Sequence, residues 1–163
     1  MFEIFEAFIY TGRIFSKKVD DVETDEEGDM SDRENTRLAS LWVLGEKLRA
    51  TAFQDAVVDA TIEKLDNSQC GVPLESCRKI YKCSSRPSPM KDLHADIAIW
   101  YWAVEDFVSD EEEGDLPFFV DLSARQQRYM VSGRPKQAPW KSGSTCLYHE
   151  HGDAKPCHKT MFW

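Results

Sequence analysis

The chain has 163 residues, 29 acidic against 20 basic side chains and a net charge of −9. Such a balance speaks against a binder of nucleic-acid backbone or of an anionic membrane surface, since both need clustered Lys and Arg. No apolar run approaches the roughly 20 residues that span a bilayer.

Phe2, Phe5, Phe8 and Ile9 share one face of a short predicted helix, and Gly12 is placed to cap it in left-handed backbone. Glu3 and Glu6 interrupt the apolar residues, and no basic start precedes them, so a secretory signal is not expected. The five cysteines, an odd number, are then expected to be reduced thiols in the cytosol or nucleus. Asp20 to Asp29 is an acidic stretch. Gly28 is misplaced for a calcium loop and no helix leads in, so a solvated linker is predicted.

Ser31 to Leu65 is the organising stretch, read as two successive helices. Ser31 with Glu34 and Thr51 with Gln54 have capping-box spacing. Leu38, Leu41, Trp42, Gly45 and Leu48 form the first apolar face, and Phe53, Ala56, Val57, Ala60 and the Lys64 stem the second. A sharp turn is predicted near Arg49–Thr51, with Glu46, Lys47, Arg49 and Asp55 on the exposed side. Pro73 opens a further helix with Cys77, Ile80, Tyr81 and Leu74 on its inner face. Cys70, Cys77 and Cys83 lack the paired short spacing of a zinc site.

Ser88-Pro89 is a cap followed by a first-turn proline, and Met90, Leu93, Ile97, Trp100 and Tyr101 follow at helical spacing, extended by Val104 and Phe107. His94 lies beside that face and is expected at the surface or at a helix end. An enzyme pairing Cys83 with His94 has no local support, and no catalytic residue is assigned. Asp110 to Asp115 is predicted to be a second solvated loop. Leu116-Pro117 opens a last helix with Phe118, Phe119, Leu122 and Arg125 on one side and Asp121 near its start. Beyond it, Gly133, Pro135 and Pro139 predict irregular backbone.

The tail carries the one constellation with site chemistry. Cys146, His149, His151 and Cys157 are two thiols and two imidazoles, a complete tetrahedral zinc set, with His158 as a spare. Their C-x2-H-x-H-x5-C arrangement is not a common finger spacing. Reduced, unbound residues are the alternative. No phosphate loop, nucleophile elbow or dinucleotide fingerprint is present.

Three segments together resemble one family. Phe5 to Ile14 (FEAFIYTGRI) is similar to the closing helix of a BTB/POZ domain, whose Trp-Leu-Tyr-Thr-Gly-like ending corresponds to Phe8-Ile9-Tyr10-Thr11-Gly12. Leu38 to Ile62 resembles the helix pair that follows this domain in BTB proteins of filamentous fungi, with Trp42 for the usual Tyr and Gly45 for the usual Ala. Cys146 to Cys157 is similar to a Cys-x-Tyr-His-x-His…Cys ending in the same proteins. The resemblance implies a chain that starts within the last helices of the BTB domain and lacks its strand-rich body. The body's dimerisation and ubiquitin-ligase adaptor roles are therefore not carried onto residues here.

The expectation is an all-α fold: an irregular bundle of about five amphipathic helices with acidic loops and a poorly ordered C-terminal tail. Residues 1–17 form the BTB-like remnant, 18–30 an acidic linker, 31–130 a helical interaction domain and 131–163 the Cys/His tail. The function expected is protein–protein interaction of adaptor type, with self-association through the N-terminal apolar helix. The alternatives are a small zinc-stapled domain and a fragment with no independent function.

Overall fold

The chain reverses at Arg49, and the reversal builds the centre of the structure. The computed structural model describes residues 1–17, 30–68, 71–84, 87–102, 115–141, 143, 145–151 and 156–161, the side chains of 30–32 excepted. Six α-helices are described: α1 (Phe2–Thr11), α2 (Met30–Leu48), α3 (Thr51–Ser68), α4 (Leu74–Cys83), α5 (Pro89–Tyr101) and α6 (Leu116–Ser132). Three short 3₁₀ turns follow at Pro139–Lys141, Thr145–Tyr148 and His158–Thr160, and no strand occurs among the described residues. The acidic stretch 20–29, Cys70, Val104, Phe107 and residues 110–114 of the second acidic stretch lie outside the described residues, as does the Ser31 side chain.

The α2–α3 turn forms without Thr51 as a cap. Arg49 takes φ 54°, its N–H donates to the Glu46 carbonyl at 3.1 Å, and Ala50 N–H donates to the Gly45 carbonyl at 2.9 Å. This is a Schellman ending, which satisfies two carbonyls that α2 would leave open. Thr51 is the first residue of α3 rather than its cap, because the Ala50 carbonyl already accepts from Phe53 and Gln54 N–H. Gln54 is buried against α2, where a Cβ on Gly45 would stand 2.7 Å from its Cγ. The absent Cβ at Gly45 therefore lets the two helices approach closely. α2 begins at Met30, ahead of Ser31, and the Glu34 carboxylate accepts from Ser16 Oγ at 2.5 Å.

The predicted apolar faces meet in one core. Leu38, Leu41, Trp42, Phe53, Val57, Ile80, Met90, Leu93, Ile97 and Phe118 are all buried. At roughly 1.5–3 kcal/mol each, their removal from water is the main stabilising contribution. α1 folds back on this core. Phe5 and Phe8 set their rings edge-on to Phe53, at 4.9 and 5.2 Å, and Gly12 caps the helix at φ 68°. Phe2, Ile9, Tyr10 and Phe15 remain exposed.

Burial corrects three expectations based on single faces. His94 is fully buried, not at the surface. Asp55 on α3 is fully buried, not on a solvated side. Asp115 is also buried, and it takes a two-pronged ion pair from Arg78, with Nε and an Nη each at 2.8 Å. In the tail, expected to be poorly ordered, residues 131–137 are exposed, but the later 3₁₀ turns pack on α3 and α5: Tyr148 and Trp140 are buried, and Trp140 stacks on Tyr101 at 6.2 Å.

His94 sets a pH response. Burial holds its imidazole neutral down to about 3, against an ordinary value of 6.5. The unfolded chain takes up that proton below 6.5, whereas the folded chain does not until about 3. The contribution is thus whole above 6.5 and is lost as the pH falls through that window. His94→Gln is expected to reduce the stability lost between pH 6.5 and 5 by about 2 kcal/mol relative to wild type, measured by urea unfolding. Identical losses in the two proteins would refute this account of His94.

Candidate metal centre

Asp55 and Asp59 are one turn apart on α3, so both carboxylates face the same way. The tail docks on them. Glu150 N–H donates to Asp55 Oδ1 at 2.5 Å, and Thr145 Oγ donates to Asp59 Oδ1 at 2.5 Å. Between these anchors, the Tyr148 hydroxyl reaches Asp96 on α5 at 2.6 Å. Residues 145–151 are thereby fixed at both helices, and the chain returns at Cys157 and His158.

This docking brings all four predicted metal residues together. The ligand atoms of Cys146, His149, His151 and Cys157 lie within 4.8 Å of one another, and the group could hold a metal ion. Cys146 Sγ is 3.8 Å from Cys157 Sγ, and His149 Nδ1 is 3.6 Å from Cys157 Sγ. Zinc–sulfur bonds of about 2.3 Å and zinc–nitrogen bonds of about 2.0–2.1 Å put tetrahedral edges at about 3.8 Å for S···S and about 3.6 Å for S···N. His149 is buried, while Cys146, His151 and Cys157 are half-buried. No family model, curated protein or solved structure matches the chain.

The surroundings of the four were not visible as a motif. Asp59 Oδ1 stands 3.2 Å from His149 Nε2, and Asp59 Oδ2 stands 3.2 Å from His158 Nε2. Lys159 Nζ approaches the same carboxylate at 3.1 Å. When Nε2 carries the proton donated to Asp59, the Nδ1 lone pair of His149 is the one left to face Cys157, the carboxylate–imidazole arrangement that orients metal-binding histidines. Burial alone would raise the Asp59 carboxyl, but its hydrogen bonds from His149, His158 and Thr145 outweigh that and hold it well below the usual carboxylate range. Asp55 goes the other way: burial is the larger effect and raises it. The Cys157 thiol is also pushed up, first by burial and then by the Cys146 thiol beside it. A cation between the sulfurs would reverse that tendency, because it binds the thiolate form.

The residues of the rival reading differ in burial. Cys77 is fully buried and its thiol is pushed above the ordinary range by burial, whereas Cys83 is exposed and His94 buried.

Proposed function

We propose that this chain is a protein-interaction module whose C-terminal segment is stapled to its helical body by a structural zinc ion on Cys146, His149, His151 and Cys157. The observation that carries the reading is the Cys146 Sγ–Cys157 Sγ separation of 3.8 Å together with His149 Nδ1 at 3.6 Å. A set of four protein donors leaves no open position for substrate, which favours a structural over a catalytic ion. The reading agrees with reduced thiols, hence with the cytoplasm or nucleus. Elemental analysis of protein purified without chelator should give one zinc per chain, and Cys146→Ser should remove it. Wild-type protein without stoichiometric zinc, even after incubation with the ion, would dispose of the staple.

The adaptor-type reading keeps its own support. The segment resembling the end of a BTB/POZ domain packs through Phe5 and Phe8 on Phe53 of the helix pair that follows it in that resemblance. Phe2, Ile9, Tyr10 and Phe15 leave an apolar surface on and just after α1. Self-association through α1 is the partner reading that follows. Sedimentation of wild type at high concentration should show a dimer that Ile9→Glu with Tyr10→Glu dissolves, and a monomer throughout would remove it.

A further inference from the structure

The tail meets α3 as two arms, residues 145–151 and 156–161, and Asp59 holds both. Thr145 and His149 reach its carboxylate from the first arm, and His158 and Lys159 reach it from the second. Lys159 Nζ also donates to Thr145 Oγ at 2.8 Å, which ties the arms to each other. Further along the first arm, Glu150 N–H is fixed on Asp55 and the Tyr148 hydroxyl on Asp96. None of these bonds uses a sulfur. Together they leave Cys146 Sγ and Cys157 Sγ 3.8 Å apart, close to contact. Both cysteines are half-buried and so partly open to solvent, whereas Cys77 is fully buried in the helical core.

We infer that Cys146 and Cys157 are an oxidisable pair: a peroxide joins them in a disulfide that expels the metal, and Asp59 keeps the two sulfurs adjacent in both states. The expelled ion is that of the metal reading above, on which this part rests; the pairing of the sulfurs rests on the Asp59 clamp. A metal-binding cysteine is a thiolate, the form that attacks oxidants. One thiolate attacks a peroxide oxygen. The O–O bond breaks, the sulfur becomes a sulfenic acid and hydroxide leaves. The second thiolate attacks that sulfur, the S–S bond forms and a second hydroxide leaves. Each sulfur has then given up one electron, and the peroxide has taken both. A disulfide offers no thiolate, so the ion loses its two sulfur donors together. The sulfurs close from 3.8 Å to about 2.05 Å, and the bonds to Asp55, Asp59 and Asp96 need not break. In a reducing compartment the bridge is transient, and a thiol reductant restores the metal-binding form.

Treating the zinc-loaded full chain with hydrogen peroxide tests this. A chelating dye reads released zinc, and digestion without reductant followed by mass spectrometry maps the bridge. A chain carrying Cys70→Ser and Cys83→Ser, which keeps the pair, is treated in parallel. The expected result in both chains is one zinc released for each Cys146–Cys157 bridge, with helix content unchanged by circular dichroism and zinc binding restored by dithiothreitol. In the metal-free chain, Asp59→Ala should slow bridge formation by about tenfold or more, because the arms part. Asp59→Asn, which keeps an acceptor for Thr145, should slow it less. Sulfinic acid in place of the bridge, a bridge to Cys70 or Cys83, or zinc retained by the bridged chain would overturn the inference. So would a folded Asp59→Ala chain that bridges as fast as wild type. A reduced wild type that holds no zinc before peroxide is added marks instead the failure of the metal reading, and the bridging rates of the metal-free chains then decide the pairing alone.

Discussion

Cys157→Ser is expected to abolish stoichiometric zinc and to free the tail while leaving the helical body folded. Cys157 Sγ is the atom about which Cys146, His149 and His158 gather, so no other single change removes as many contacts at the centre. The body does not depend on it, since Trp42, Phe53, Leu93 and Ile97 lie in a core formed by the helices. Metal that binds only the folded state stabilises by mass action, about 2.7 kcal/mol at a free concentration a hundredfold above Kd. In a chain of this size that corresponds to a rise in Tm of about 5–10 °C for wild type on adding zinc. The variant should show no rise, and limited proteolysis should cut it within the tail. Equal zinc responses in the two proteins would place the metal elsewhere.

The second large effect is expected at Asp96. Its buried carboxylate accepts from an Arg125 Nη at 2.7 Å, from the Tyr129 hydroxyl at 2.7 Å and from the Tyr148 hydroxyl at 2.6 Å. Three elements, α5, α6 and the tail, thus meet on one side chain. Burial raises the Asp96 carboxyl most, and the hydrogen bonds from Tyr148 and Tyr129 and the charge of Arg125 oppose that. The Tyr129 hydroxyl is pushed up to about 12 by its own burial and by this carboxylate, so it stays a donor. Asp96→Ala takes the acceptor from both hydroxyls and leaves Arg125 with Asp92 as its carboxylate partner, at a cost of about 3–5 kcal/mol. Tyr148→Phe removes one donor and should cost about 1–3 kcal/mol. Since Tyr148 lies between Cys146 and His149, both variants should also weaken zinc binding. Urea unfolding measures the first effect and competition with a chelating dye the second. A change at Asp96 within about 0.5 kcal/mol would mean that the network is not a structural hub.

The helices were legible because their apolar spacing and punctuation agree. Ser88-Pro89 does cap α5, with the Ser88 side chain accepting from Lys91 N–H, and Gly12 does end α1 in left-handed backbone. The candidate metal residues were legible because cysteine and histidine at short spacing are rare enough to be noticed. Polar residues inside apolar stretches were read less well. Asp55 and Asp59 in FQDAVVDA, and Asp96 in HADIAIW, were the available signals, a carboxylate where the helix faces a core. A periodicity argument assigns such residues to solvent, and their partners lie 90 residues away for Asp59 with His149 and 52 for Asp96 with Tyr148. Pairing over that separation is set by how the tail packs, which no local spacing encodes. Asp115 was misread for the same reason, because its partner Arg78 is on another helix.

The central claim is that thiolates and imidazoles of the tail hold a zinc ion against α3. X-ray absorption at the zinc edge of the full-length, zinc-loaded protein tests it most directly. The account predicts a four-coordinate ion with two sulfurs at about 2.3 Å and two nitrogens at about 2.0–2.1 Å. A shell of oxygen and nitrogen alone, with no sulfur, would contradict it.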